Sequence, residues 1–195
     1  MISAVLLAAG QSRRMNGQNK LSKKIQEIPL IKHSVNNILD SLVDELIIVL
    51  GYQREIIEKL IDNNKKIKIV FNEKFESGMA SSIKTGLNHL SEKTDAFFIC
   101  LGDMPLVNKD IYNQIIQSRN NKKEIFVPNY NGQQGNPILF SMSMKREIMR
   151  IQGDVGGKKI LEQNKDKILN LSINNEVIIS DFNTEDSFKH FYKAL

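Results

Sequence analysis

The sequence predicts an α/β protein of three layers, with helices on both faces of a mostly parallel sheet, and three observations predict it. Apolar runs rich in β-branched residues recur at Ile2 to Leu7, Leu46 to Leu50, Ile67 to Phe71, Ala96 to Leu101 and Ile125 to Val127. Segments with apolar residues at helical spacing separate them: Ile31, Val35, Ile38 and Leu42; Ile56, Ile57, Leu60 and Ile61; Met79, Ile83, Leu87 and Leu90; Ile111, Ile115 and Ile116. Runs such as "ELIIVL" and "AFFICL" are apolar at nearly every position. Such runs suit strands covered on both faces, and helices between them suit right-handed crossovers joining parallel neighbours.

After Val127 the rhythm changes. A polar turn, "NYNGQQGNP", leads to a short strand at Ile138 to Phe140, then to helices near Ser143 to Arg150 and Gly157 to Asn164. Two short apolar runs, near Ile168 to Leu171 and Val177 to Ile179, precede a last helix, Thr184 to Leu195. This reads as an elaboration of the same unit, with room for one antiparallel strand. At 195 residues and 41% apolar composition, one sizeable core is expected, hence a single domain over 1–195 with a first part of about 1–107 and an elaboration of about 108–195.

Composition narrows the function classes. No stretch approaches the roughly 20 consecutive apolar residues that span a bilayer. Met1, Ile2 and Ser3 lead straight into the first strand pattern without a basic leader, so a cytoplasmic protein without membrane association is expected. A single cysteine, Cys100, excludes an intrachain disulfide and a cysteine-cluster metal site. It reads as a small core residue, with some room for reaction with thiol reagents. The net charge of +5 suits anionic ligands, but the lysines are scattered, and neither an aromatic-rich RNA-binding motif nor a recognition helix is visible. Nucleic acid is therefore not an expected partner. His33, His89 and His190 share no motif and read as structural or exposed.

In an open parallel sheet, ligands bind beyond the carboxyl ends of the strands, near the point where strand order reverses. Three loops there are unusual. In "VLLAAGQSRRMNGQNKL", Gly10 permits a tight turn, the amides that follow can point at an anion, and Arg13, Arg14 and Lys20 supply charge. The run is neither a Walker A loop, since Met15 stands where glycine is needed, nor GxGxxG. Standing alone, it reads rather as a solvated basic loop. In "LGDMPLV", Asp103 lies just beyond a buried strand, with Gly102 allowing close approach and Pro105 stiffening the exit. A carboxylate there, facing a basic loop, suits holding Mg²⁺ against a nucleotide's phosphates. In "ESGMASSIKTG", Gly78 reads as a backbone turn and Ser81 and Ser82 as helix-start caps, or as groups meeting a nucleotide's base or ribose.

Taken together and in order, these loops resemble the nucleotidyltransferases of molybdenum-cofactor maturation, most closely the molybdenum cofactor cytidylyltransferases of the MobA-like NTP transferase family. The resemblance covers nearly the whole chain. Its first motif, LAAGxSxRM followed by Gly and Lys-Leu, is similar to Leu7 to Met15 with Gly17, Lys20 and Leu21. Later motifs resemble Gly78 to Ser82, Leu101 to Leu106, Gly135 to Phe140, Gly153 to Lys158 and Asp181 to Asp186. Three positions depart from the pattern: Asn16 where glycine commonly follows, Lys158 where arginine is usual, and Asn183 in place of aspartate. Lys158 keeps the charge without arginine's planar fork.

The resemblance implies a Rossmann-like nucleotidyltransferase fold and transfer of CMP from CTP to the terminal phosphate of molybdopterin or molybdenum cofactor, with a molybdoenzyme or its chaperone as a further partner. It implies a nucleotide site of Leu7, Ala8, Ala9, Gly10, Ser12, Arg13, Lys20, Gly78, Ser82 and Gly102, with the Ala8-Ala9 turn favouring cytidine over guanosine. Arg14 would hold the β and γ phosphates, Lys20 the α-phosphoryl oxygens, and Asp103 the Mg²⁺, assisted by Asp181 or Asn183. Gly135, Asn136, Pro137, Asp154 and Lys158 would shape the acceptor site, unless these glycine turns merely reverse the chain. Two rivals stand beside this reading: a related transferase acting on another phosphorylated small molecule, and a non-catalytic protein that delivers cofactor to a molybdoenzyme.

Overall fold

The computed structural model describes residues 1–12, 19–153 and 157–182, residue 158 by its backbone alone. The apolar runs form strands β1 (Ile2–Ala8), β4 (Glu45–Leu50), β5 (Ile67–Phe71), β6 (Ala96–Leu101) and β7 (Ile125–Tyr130), each within a few residues of the range expected. Between β1 and β4 lie a two-residue hairpin, β2 (Lys24–Ile25) and β3 (Ile28–Pro29), and helix α1 (Leu30–Leu39). Helix α2 (Arg54–Glu58) joins β4 to β5, α3 (Met79–Asn88) joins β5 to β6, and α4 (Lys109–Gln117) joins β6 to β7. Asn108 starts α4 by accepting hydrogen bonds from the amides of Asp110 and Ile111 at 3.1 and 3.2 Å, which satisfies two of the donors a helix start leaves open.

The elaboration adds β8 (Gln133–Gln134), β9 (Ile138–Ser141), α5 (Lys145–Ile148), α6 (Lys158–Gln163) and β10 (Ile168–Ser172). The run at Val177 to Ile179 is not extended. It forms a short 3-10 turn, Glu176–Ile179, started by Asn175, whose side chain accepts from the Val177 amide at 3.2 Å. The helix expected from Thr184 lies outside the described residues.

The main sheet runs β10-β7-β9-β6-β1-β4-β5, with β8 paired to β7. The neighbours of β1 are both parallel to it, as are β4 with β5 and β7 with β10. Strand β9 is antiparallel to both β6 and β7, and β8 is a further antiparallel addition. Connections from β1 lead outward through β4 to β5, whereas β6 returns to the other side of β1. The order therefore reverses between β1 and β6, which is where a ligand crevice belongs.

Side chains of β1 alternate between the two faces. Ala4, Leu6 and Ala8 join one core with Leu30, Ile31, Ile57 and Ile111, so α1, α2 and α4 cover that face. Val5 joins the other with Ile83, Leu87, Ile148 and Ile160, under α3, α5 and α6. This double cover explains why Leu46 to Leu50 and Ala96 to Leu101 are apolar throughout. Among the described residues no helix is long and apolar enough to cross a membrane.

Helix α3 approaches β1 most closely at Gly86, where an added Cβ would lie 2.2 Å from Cγ1 of the buried Val5. An alanine there gains about 1 kcal/mol of helix propensity. It also overpacks a dense core, at about 1–3 kcal/mol. We expect Gly86→Ala to lower stability to urea by up to about 2 kcal/mol. Adding Val5→Ala should restore part of it, and a double-mutant cycle without coupling would disprove this contact.

Candidate active site

Two backbone hydrogen bonds fix the crevice. The Gly102 amide donates to the Leu7 carbonyl at 3.0 Å, and the Tyr52 amide to the Ala9 carbonyl at 3.3 Å, so the chain leaving β1 is held between those leaving β6 and β4. Ser34 on α1 donates through Oγ to the Gly102 carbonyl at 3.1 Å, and Asn37 through Nδ2 to the Pro105 carbonyl at 2.8 Å. The loop carrying Asp103 is thereby tied to a buried helix.

The first loop returns to the crevice through Asn19, which is buried. Its Oδ1 accepts from the Leu21 amide at 3.1 Å and its Nδ2 donates to the Tyr52 carbonyl at 3.2 Å. The Lys20 amide donates to Ser12 Oγ at 3.1 Å, drawing the two ends of the loop together. From this anchored backbone the Lys20 ammonium reaches Asp103, with Nζ 2.5 Å from Oδ2. The two side chains are 17% and 16% exposed, so their attraction is screened less than that of a surface pair.

These groups stand in a cavity of about 460 Å³. One wall is Leu7, Ala8, Ala9, Gly10, Gln11 and Ser12; another is Phe75 to Met79 with Ser82; Lys20, Leu21, Leu101 and Asp103 complete it. Of the nucleotide residues expected, Leu7, Ala8, Ala9, Gly10, Ser12, Lys20, Gly78 and Ser82 line this cavity. Gly102 supports it through its backbone, and Arg13, Arg14 and Asn16 lie outside the described residues. Gln11, Leu21, Phe75, Glu76, Ser77, Met79 and Leu101 also line it; they belong to the loops and motifs singled out in the sequence but were not named as site residues, and Gln11 Nε2 donates to Glu76 Oε1 at 2.9 Å, joining two walls.

The serines behave differently from the caps expected. Gly78 occupies the cap position of α3, at φ 103° and ψ 174°, a conformation that in practice only glycine adopts. Ser81 Oγ donates back to the Gly78 carbonyl at 2.8 Å. Asn72, buried just after β5, donates through Nδ2 to Ser81 and Ser82 hydroxyls at 2.8 and 3.0 Å. This asparagine organises the wall, and only its position at a strand end could have signalled it.

Of the acceptor residues expected, Gly135, Asn136 and Pro137 do not line the cavity. Because β9 is antiparallel, it enters the sheet from the carboxyl edge of β6, with Ile138 opposite Ile99. Gly135, Asn136 and Pro137 precede it and so stand on the same edge as Asp103. They are held by the Gly135 amide donating to the Pro128 carbonyl at 2.8 Å and the Asn136 amide to the Ile178 carbonyl at 2.7 Å. The Asn136–Pro137 bond is cis. The Gly153 carbonyl accepts from the Ala80 amide at 3.1 Å, which brings Gly153 to the first turn of α3. Asp154, Asn183 and the Lys158 side chain lie outside the described residues. Asp181 is drawn toward Asp103 by its neighbour, since the Phe182 amide donates to the Asp103 carbonyl at 2.9 Å.

A Rossmann-like sheet with a lysine–carboxylate pair in a cavity at its switch point suits a protein that binds a phosphorylated ligand there. The chain belongs to the family described as the MobA-like NTP transferase domain, whose pattern matches residues 4–168. It is a nucleotidyltransferase. It is 28% identical over 187 residues to the molybdenum cofactor cytidylyltransferase of Escherichia coli strain K12, covering 96% of this chain and 93% of that one. It is 26% identical over 152 residues to a probable molybdenum cofactor guanylyltransferase of Methanosarcina mazei, covering 75% of this chain and 66% of that one. In fold it is similar to the crystal structure of Rv0371c from Mycobacterium tuberculosis H37Rv, with a TM-score of 0.87 and 24% identity over 98% of this chain and 97% of that one.

Behind the site, Cys100 is 1% exposed and packs with Tyr112, which also meets Phe98 edge-on at 5.3 Å between ring centroids. Burial pushes the thiol up to about 12, and burial also raises Tyr112 well above the ordinary phenol range. A raised thiol pKa means that the reactive thiolate is nearly absent below that pH. We expect native protein to leave Cys100 unreactive toward dithionitrobenzoate from pH 6 to 9 and to titrate one thiol after unfolding. Rapid reaction in the native state would contradict the burial described.

Proposed function

We propose that this chain transfers CMP from CTP to the terminal phosphate of molybdopterin or its molybdenum-loaded form, releasing pyrophosphate. The observation that carries this reading is the Lys20–Asp103 pair inside a cavity walled by Ala8 and Ala9. The two alanines are 2% and 4% exposed and narrow the space beside the β1 turn, which favours a pyrimidine over a purine. The similarity to the cytidylyltransferase points the same way.

The donor set suits a divalent cation. Mg²⁺ is commonly held by one or two carboxylates plus substrate phosphates and water. Among the described residues no group of three or more His, Cys, Asp and Glu is gathered, whereas Asp103 has Asp181 nearby in the chain's path. Asp103 with Asp181, and Asn183 beyond the described residues, would hold Mg²⁺, which when bound supplies charge neutralisation for the phosphates. A similar fold, Rv0371c, has also been solved in complex with manganese.

The chain's own task is positioning and charge stabilisation. Gly10 and the amides after it, with Ser12, Arg13 and Arg14, would bind the leaving pyrophosphate. Lys20 would meet the α-phosphoryl oxygens as an acceptor phosphate oxygen attacks the α-phosphorus in line with the departing group. That oxygen is already ionised near neutral pH, so no general base is needed. His33 and His89 agree, since their ring nitrogens lie within 3.0 and 2.8 Å of the Ile25 and Thr85 carbonyls, away from the cavity. Gly78, Ser82 and Gly102 would complete the nucleotide site. Gly135, Asn136, Pro137, Asp154 and Lys158 would receive the acceptor.

Pyrophosphate release, measured over CTP, GTP, ATP and UTP with molybdopterin and Mg²⁺, tests the reading. CTP should give the highest kcat/KM, and release should require the acceptor. Preference for GTP, or no release with any nucleotide, would overturn it. Lys20→Ala should lower kcat on the order of a hundredfold or more if its contact forms mainly in the transition state, and an unchanged kcat would refute that role.

A further inference from the structure

Resting on the CTP reading proposed above, we infer that Asn72 is a positioning residue: it makes Ser82 an obligatory hydrogen-bond donor toward the base, and so selects cytosine over uracil. The methyl groups of Ala8 and Ala9 can separate a pyrimidine from a purine by size, but they carry no polar atom to tell one pyrimidine from another. Cytosine and uracil differ at the ring nitrogen N3, which accepts a hydrogen bond in cytosine and carries a proton in uracil. A group that can only donate there tells them apart.

Donors and acceptors around Asn72 fix its orientation. The residue is buried just past β5, where its amide donates to the Leu50 carbonyl at 2.8 Å. Its side-chain oxygen accepts from the Lys74 amide at 3.0 Å. A backbone N–H can only donate, so the oxygen faces Lys74 and the NH₂ group faces α3. That group has two protons, and two hydroxyls take them: Ser81 Oγ at 2.8 Å and Ser82 Oγ at 3.0 Å. Each serine, having accepted, has its own proton to place. Ser81 gives its proton to the Gly78 and Lys74 carbonyls, which lie at 2.8 and 2.9 Å. Ser82 differs, since among the described residues its Oγ makes no hydrogen bond besides the one from Asn72. Ser82 is 5% exposed and lines the cavity with Ala8 and Ala9. Its proton is thus offered to whatever occupies the cavity. Cytosine N3 accepts it, whereas the N3–H of uracil meets it donor to donor, and a site built for one hydrogen-bond pattern rejects the analogue that lacks it.

Dissociation constants for CTP and UTP, measured by isothermal titration with Mg²⁺ and without acceptor, test this through their ratio. Wild type should bind CTP more tightly. Asn72→Asp keeps the shape and the acceptor for the Lys74 amide but reverses the rest: both serines then donate to the carboxylate, and Ser82 turns its lone pairs to the base. Three donors converge on that carboxylate and keep it ionised. Its charge opposes both nucleotides alike, because they carry the same triphosphate, and cancels in the ratio. The preference for CTP should fall on the order of tenfold or more, a change that mere loosening of the loop would not produce. Ser82→Ala should lower the preference as well, and it decides alone if thermal unfolding shows that Asn72→Asp does not fold. No preference in wild type, or the wild-type ratio kept in either folded variant, overturns the inference; equal weakening of both nucleotides, as a ribose contact would give, counts among these results. If wild type turns over UTP or GTP in preference to CTP, the CTP reading itself fails and this inference falls with it. If it turns over CTP best and a folded variant keeps the wild-type binding ratio, only the role of Asn72 and Ser82 is refuted.

Discussion

The parallel pairing of β1 with β6 governs the site. Leu7 lies opposite Leu101, and the Gly102 amide extends the ladder by one bond to the Leu7 carbonyl. Because the strands run the same way, they end at the same edge, roughly 5 Å apart. Whatever follows them in sequence must meet there. Lys20 and Asp103, separated by 83 positions, become neighbours for that reason. Their approach is underwritten by the core beneath, where Val5, Leu6 and Phe98 are fully buried.

The loops above that edge are held by polar residues that face inward. Asn19, Asn72 and Ser34 are each nearly inaccessible, and each spends its hydrogen bonds on the backbone or hydroxyls of a loop. A buried polar group without partners destabilises a fold, so these partnered ones specify where the loops must lie. The result is a hydrogen-bonded frame around the Lys20–Asp103 pair. Position belongs to the asparagines, and charge belongs to the lysine and the aspartate.

The sheet was legible because its strands are covered on both faces, which leaves continuous apolar runs at Leu46 to Leu50 and Ala96 to Leu101. Directions were harder to read. Ile138 to Phe140 has the same character as its neighbours; the change of rhythm after Val127 left room for one antiparallel strand, but which strand it is follows from how the chain arrives. The β2–β3 hairpin escaped notice since each strand has two residues and its turn uses Gln26 and Glu27 at φ 49° and 64°, without the usual glycine or asparagine. Val177 to Ile179 looked like another buried run, yet the Asn175 cap winds it into a turn. At the site, Lys20, Asp103 and the Ala8-Ala9 turn could be named from sequence, as could their side of the sheet. That Lys20 and Asp103 take each other as counterions could not, because a charge in a sequence does not declare its partner. Phe75, Glu76 and Met79 enter the cavity only through the path imposed by Asn72 and Gly78.

The antiparallel strand β9 sets a boundary as well as a pairing. It separates β6 from β7 by two strand spacings, roughly 10 Å, while delivering Gly135 to Pro137 to the edge where β6 ends. The cavity is thus walled by the loops of β1, β5 and β6, whereas Gly135 to Pro137 come from the loop that follows β7 at the same edge. Neither set shares a strand with the other. The two sets still touch, through the Ala80 amide on the Gly153 carbonyl and the Phe182 amide on the Asp103 carbonyl, so a substitution in the later segments reaches the cavity through backbone contacts rather than through a shared strand.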